Sequence, residues 1–169
     1  MSVLETERLL LSRLSYDDRE FIFELVNEPS FKKYIGDKDV NSLEDADRYL
    51  REGPIGHYEN FGYGLFLVSL KGTETPAGIC GLIQREEFDD PDIGFAFLGR
   101  HREQGYANES SRAVLGHGFD TLELRRIIAM ADHDNRPSIN LLEKLGFVYE
   151  KDVRMPDDDH DISLFAIEK

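Results

Sequence analysis

Cysteine is nearly absent from this chain of 169 residues: a single one, Cys80, stands in the apolar stretch AGICGLI. A lone cysteine excludes an intrachain disulfide, and its apolar neighbours point to a packed core thiol. Basic residues are scarce, 20 Lys and Arg against 34 Asp and Glu, for a formal net charge of -14. That deficit argues against nucleic acid as a partner, because phosphate binding needs clustered cations. It favours a cationic ligand through long-range attraction, or serves solubility alone. Long apolar runs are missing too. The longest uncharged one, Phe61 to Leu70, is broken by Gly62 and Gly64 and falls short of the roughly 20 residues of a membrane span. The opening MSVLETERLLL lacks the basic-then-apolar order of a secretory signal, so a cytoplasmic protein with no membrane partner is expected. Neither GxxxxGK[ST] nor GxGxxG occurs, which excludes the nucleotide P-loop and the Rossmann fingerprint. The acidic run DDDHD, Asp157 to Asp161, has neither the Gly nor the terminal Glu of a calcium loop, and no metal is expected.

What is present suits a globular domain. Apolar residues make up 40% and charged ones 32%, a composition that can bury a core, and the length fits one domain spanning residues 1–169. TERLLLSRL, Thr6 to Leu14, reads as a first strand. Ser15 then caps a helix in which Phe21, Ile22, Leu25 and Val26 recur at helical spacing, with Asp17 and Asp18 in its first turn and Pro29 ending it. A second helix starts at Ser42, with Asp45 at the capping-box distance, until Gly53-Pro54 interrupts it. A Gly-rich stretch follows, and then LFLVSL and PAGICGLIQR form a hairpin around KGTET. DIGFAFLG is a strand that leads into a helix through Ala113, Val114 and Phe119. Strand RIIAMA, helix PSINLLEKL and strands FVYEKDV and DISLFAI complete a mixed α/β chain.

The segment RHREQGYANES carries the strongest chemical signal. Strand, short polar loop, glycine and helix in that order gather free backbone N–H groups at a positive helix end, which suits a phosphate or pyrophosphate. Gly105 lets the backbone approach closely, and Ala107 leaves the next turn uncrowded. Downstream, NRPSINLLEKLGF places Asn135 and Pro137 at the start of a helix and Gly146 just past its end.

Taken together, DIGFAFLGRHREQGYANES and NRPSINLLEKLGF resemble the GNAT superfamily of N-acetyltransferases, in particular its RimJ/RimL-like branch, over nearly the whole chain. The resemblance implies a single α/β (α+β) domain with a mixed central sheet of about seven strands and about four helices, two central strands splaying apart to form an acetyl-CoA cleft. It implies an acetyl-CoA-dependent N-acetyltransferase that moves the acetyl group directly to a primary amine, either a protein N-terminus or a small amine. The acidic chain favours a cationic acceptor. The alternative is a non-catalytic acyl-CoA-binding regulatory module, and either a monomer or a homodimer is compatible with the sequence.

The same resemblance distributes roles over residues. Arg102, Glu103, Gln104, Gly105, Tyr106 and Ala107 match the family's pyrophosphate loop, with Glu103 where Gly is common and Gly99 where Pro is common. Phe95, Ala96, Phe97 and Leu98 fall on the strand that pairs with the pantetheine arm and offers amides to an oxyanion, and Asn135 matches the asparagine that contacts that arm. Many relatives place an acidic tyrosine seven residues after this asparagine, where this chain has Leu142. In the branch it resembles, the serine of Asn-x-x-Ser protonates the leaving thiolate, which points to Ser138, or to a serine that serves only the helix start. Asp92 is the first candidate for the base, directly or through a water chain, and His133 the second. Glu86 and Glu87 read as solvated charge, Glu109 as a structural carboxylate at a helix start, and His57 and Tyr58 as pocket or packing residues.

Overall fold

The computed structural model describes residues 2–169 as one eight-stranded sheet with helices on both faces. In chain order the strands are β1 (Ser2–Glu5), β2 (Leu9–Arg13), β3 (Leu65–Leu70), β4 (Pro76–Ile83), β5 (Asp92–Phe97), β6 (Arg126–Ala131), β7 (Val148–Val153) and β8 (Ile162–Glu168). The helices are α1 (Arg19–Val26), α2 (Pro29–Tyr34), α3 (Leu43–Leu50), α4 (Gly56–Phe61), α5 (Tyr106–Gly116) and α6 (Arg136–Leu145). Across the sheet the order is β1-β2-β3-β4-β5-β6-β8-β7, and every neighbouring pair is antiparallel except β5 with β6.

Several local expectations need correction. The segment expected as the first strand, Thr6 to Leu14, is strand only over Leu9–Arg13, and β1 precedes it as a further strand; Thr6 turns the chain between them, its N–H donating to the Leu9 carbonyl and its hydroxyl accepting from Leu9 N–H. This raises the strand count from about seven to eight. Ser15 does cap, accepting from Asp17 N–H while Asp18 accepts from Ser15 N–H, but it opens a 3₁₀ turn ahead of α1. Pro29 starts α2 at its first position, where a missing N–H costs nothing, in addition to following α1. Gly53-Pro54 does not stop the helix that Ser42 caps. The chain widens there into a π turn over Arg51–Ile55 and continues as α4, so the Gly-rich stretch is largely helical.

Two apolar layers hold this arrangement. On one face Val114 and Leu115 of α5 and Ile139, Leu142 and Leu145 of α6 pack on Leu9, Val68, Ile93, Phe97, Ile127 and Phe165. On the other, Ile22, Leu25 and Val26 of α1, Phe31 of α2 and Ala46 and Leu50 of α3 pack on Leu67, Ile79 and Leu98. Cys80 is buried in the first layer, where burial pushes its thiol up to about 11. Among the described residues no helix is long and apolar enough to cross a membrane.

Candidate active site

The sheet opens at its parallel pair. β5 is registered with β4 over six pairs, from Gly78 with Phe97 to Ile83 with Asp92, but with β6 only where Asp92 meets Ile128. Ile128 N–H donates to the Pro91 carbonyl at that vertex, and Leu98 N–H donates to Ala77 on the β4 side. Because backbone groups alternate sides along a strand, those two bonds fix the direction of every residue between them. Ile93, Phe95 and Phe97 turn their N–H and C=O groups to the open edge, while Ala96 and Leu98 turn theirs to β4. Of the four residues expected along the pantetheine arm, Phe95 and Phe97 therefore face the cleft. The Phe97 carbonyl is already held, accepting from Arg102 Nε at 3.0 Å.

The open edge leads to the start of α5. Gly105 takes a left-handed φ of 83° immediately before the helix, a conformation that glycine adopts without steric penalty. Glu109 N–H is the first to find a main-chain acceptor, the Gly105 carbonyl at 3.0 Å, so the preceding N–H groups of the first turn stay open for a ligand. Glu103, exposed, also has a left-handed φ, 61°, which is the geometric reason glycine suits that place. The Arg102 side chain is committed elsewhere, to Glu28 at 3.1 Å and Ser30 at 2.6 Å. Gln104 Nε2 donates to the Arg100 carbonyl at 3.2 Å, and Tyr106 lies under the Arg8 guanidinium, 4.7 Å from it. Glu109 is structural, as expected: it accepts from Thr6 Oγ1 at 2.6 Å and from Arg8 N and Nε at 2.8 and 2.7 Å. Burial would raise its carboxyl, but these donors outweigh that and hold it below the usual value.

At the vertex, Asp92 is 4% exposed. Its Oδ2 accepts from Arg85 Nε at 2.9 Å, and its Oδ1 is buried with no partner. Burial lifts its carboxyl above the ordinary 3.8, against the pull of Arg85. His57 is fixed as the Nδ1–H tautomer, since its Nε2 accepts from Gln84 N–H at 2.9 Å and its Nδ1 therefore donates to the Tyr63 carbonyl at 2.6 Å. Tyr58 bonds inward, donating to the Leu65 carbonyl and accepting from Leu14 N–H. Both residues therefore tie α4 to β2, β3 and β4. Glu86 and Glu87 are exposed.

The remaining candidates follow β6, in the turn after it and along α6. Asn135 Oδ1 accepts from Ser138 N–H at 3.4 Å and so caps α6, while the half-buried Ser138 hydroxyl makes no hydrogen bond among the described residues. Leu142 is 1% exposed in the core, so an acid has no room at that position. His133 is exposed and bonded to Asp152 at 3.1 Å, on an open hollow shared with Lys33, Tyr34, Asp132, Asp134 and His160. It follows Ile128 by five residues, about 16 Å of extended chain, so the structure does not bring it to Asp92. His160 bridges Asp159 and Asp132 at 2.7 and 2.5 Å, which raises it to about 9. Among the described residues no group of three or more His, Cys, Asp or Glu side chains could hold a metal. Arg8 and Arg85 escape a sequence reading, because each meets its carboxylate only through the fold.

An α/β sheet split at one parallel pair, with an amide-bearing helix start at the mouth, defines a class of acyl-group transferases. The chain belongs to the GNAT family of acetyltransferases, for a family model of the acetyltransferase (GNAT) domain matches residues 8–148. It is similar to protein YkkB of Bacillus subtilis (strain 168), 31% identical over 155 residues that cover 89% of this chain and 88% of that one. The N-acetyltransferase YoaA of the same organism is 30% identical over 150 residues, covering 88% and 84%. Among solved structures, a GNAT-family acetyltransferase from Bacillus anthracis superposes with a TM-score of 0.81 at 27% identity, covering 98% and 97% of the two chains. The spermidine N-acetyltransferase from Vibrio cholerae, solved with CoA and spermine, shares the fold at a TM-score of 0.80 and 20% identity, covering 96% of each chain.

Proposed function

We propose that this acetyltransferase moves the acetyl group of acetyl-CoA directly to a primary amine, a protein N-terminus or a small amine, that arrives as a cation. The observation that carries the reading is the single β5–β6 register at Asp92, beyond which a free strand edge runs to the open amides before α5. A diphosphate suits those amides and a pantetheine arm, itself an amide chain, suits the edge at Phe95 and Phe97. The solved relatives that hold acetyl-CoA or CoA share this fold and add support. The residues 1–169 act in this reading as one N-acetyltransferase domain.

The chemistry follows from the groups present. The ammonium of the acceptor gives a proton to Asp92, directly or through water, and the unpartnered Oδ1 is the oxygen free to take it. Burial, by raising the carboxyl, improves it as a base near neutral pH. The neutral nitrogen bonds to the thioester carbon, the oxygen takes N–H donors from the open edge, and the C–S bond breaks as Ser138 gives the sulfur a proton and regains one, directly or through water, from the nitrogen of the new amide. His133 serves instead only if the acceptor amine sits at the outer end of β6. A thiol-release assay over a panel of primary amines tests the proposal. Release of CoA above the buffer rate with at least one amine supports it. Tight acetyl-CoA binding with release no faster than buffer over the panel would leave a non-catalytic acyl-CoA-binding module.

A further inference from the structure

The mouth of the cleft holds one cation that the proposed reaction has not used. Arg8 stands in the turn between β1 and β2, and most of its donors fix it in place: its backbone N–H and Nε bond Glu109 at 2.8 and 2.7 Å, and Nη1 bonds the Gln104 carbonyl at 2.9 Å. Its guanidinium lies over the Tyr106 ring at 4.7 Å. Nη2 alone has no acceptor among the described residues, and it lies 3.1 Å from the point a Cβ on Gly105 would occupy. The free nitrogen thus adjoins the open amides at the start of α5. The other arginines of that loop face away, Arg102 toward Glu28 and Ser30, Arg100 toward Glu24. Meanwhile Glu103 adds a negative charge to the same loop.

We propose that Arg8 is a donor-binding residue whose Nη2 bonds a phosphate of acetyl-CoA. The inference rests on the acetyl-CoA reading above and extends it, because it supplies the phosphate subsite with a side-chain cation from the opposite end of the chain. A guanidinium already held by two hydrogen bonds and the Tyr106 ring loses little freedom when it takes a ligand, and its planar fork matches phosphate oxygens. Glu109 and the Gln104 carbonyl position the group, and the absence of a Gly105 side chain leaves its free edge accessible.

The test compares two donors, acetyl-CoA and acetyl-pantetheine, which lacks every phosphate. Arg8→Gln should raise KM for acetyl-CoA about tenfold, the size of a charge-assisted hydrogen bond, while KM for acetyl-pantetheine and kcat with either donor stay near wild type. Arg8→Lys keeps the charge but cannot make the Nε and Nη1 bonds together, so it should give a smaller rise confined to acetyl-CoA. An equal rise for both donors would show that Arg8 only supports the fold, and no rise would remove it from the site. Should the Gln variant fail to fold, the Lys variant answers the same question through the same donor contrast. If the wild type already has one KM for both donors, the phosphate reading itself is overturned, a result distinct from failure at Arg8.

Discussion

Along one edge β5 is bonded to β4 from Asp92 to Phe97, while along the other it meets β6 only at Asp92. The first edge is ordinary sheet and the second is left without partners, although unpaired main-chain groups are normally covered. The same contrast divides the site. The half toward α5 is built mainly from backbone, the free edge, the amides and the left-handed Gly105, with the Arg8 guanidinium as its one added side chain. The half at the vertex is built around side chains, Asp92 of β5 paired with Arg85 from the loop after β4, and His57 of α4 held by the Tyr63 carbonyl. A backbone site binds what any amide binds and holds a common donor, whereas a side-chain site can be tuned to one acceptor. If this division is right, changes near α5 should move donor affinity, and changes at the vertex should move turnover, pH dependence and acceptor choice.

The largest effect belongs to Gly105→Asp. The left-handed φ of 83° and the 3.1 Å approach to Arg8 Nη2 cost the variant on the order of 1–2 kcal/mol in stability, a loss the fold should survive. Its carboxylate, however, would face the donor phosphates and take up the free side of Arg8. Titration calorimetry should show acetyl-CoA affinity down by about a thousandfold, with an unchanged circular dichroism spectrum. Undiminished affinity would place the donor elsewhere and dissolve the division between the halves. Next in size is Ser138→Ala, which should lower kcat about a hundredfold and leave KM for acetyl-CoA unaltered. An unaltered kcat would reduce Ser138 to a residue of the capped helix start.

Asp92→Asn probes the other half, with turnover expected to fall roughly tenfold. Because burial raises its carboxyl above 3.8, the wild-type rate should decline on the acid side at a pH higher than an ordinary aspartate would give, and the Asn variant should lose that limb. The sign for stability is opposite to the usual carboxylate. A folded-state value above the unfolded one means that stability is present below 3.8 and declines as pH rises through the folded value. At pH 7 the Asn variant should therefore melt no lower than wild type, and its advantage should shrink toward pH 3.8. For a cationic acceptor, kcat/KM should drop between about 0.02 and 0.5 M NaCl as the Debye length shortens, and less so in the variant. A full wild-type rate in the variant would move the base to another residue, with His133 next to be replaced.

How much of this was legible in the sequence follows the same line. Gly105, Asn135, Pro137 and Gly146 mark backbone geometry through local rules, so the strand, loop and capped helices of the proposed donor half were readable. The vertex was readable only as the single residue Asp92, since no spacing rule joins it to Arg85, His57 and Tyr63 or joins Arg8 to Glu109. Proline misled in a related way. Pro54 reads as a breaker yet sits where the helix has already widened, whereas Pro29 does follow the end of α1 and only its second role, as the first residue of α2, escapes the reading. The strand expected from Thr6 begins only at Leu9, because the Thr6 hydroxyl holds a turn there, and β1 ahead of that turn escapes a sequence reading.

The smallest predicted effect sharpens the comparison at one residue. Glu103 puts two penalties into the backbone half of the site: a left-handed φ of 61° on a residue with a Cβ, and an acidic side chain on the loop proposed to meet phosphate. Glu103→Gly removes both. The strain should be relieved by roughly 1 kcal/mol, partly offset by the greater freedom that glycine has in the unfolded chain, so the melting temperature should rise by a few degrees at most. Affinity for acetyl-CoA should improve about threefold, and most at low salt, where the carboxylate is least screened. Glu103→Gln separates the causes, for it keeps the strained backbone and drops the charge: it should recover the affinity without the stability. If Glu103→Gly binds acetyl-CoA no better while Glu103→Gln binds it worse, the glutamate contributes a contact of its own, and the donor half depends on a second side chain besides Arg8.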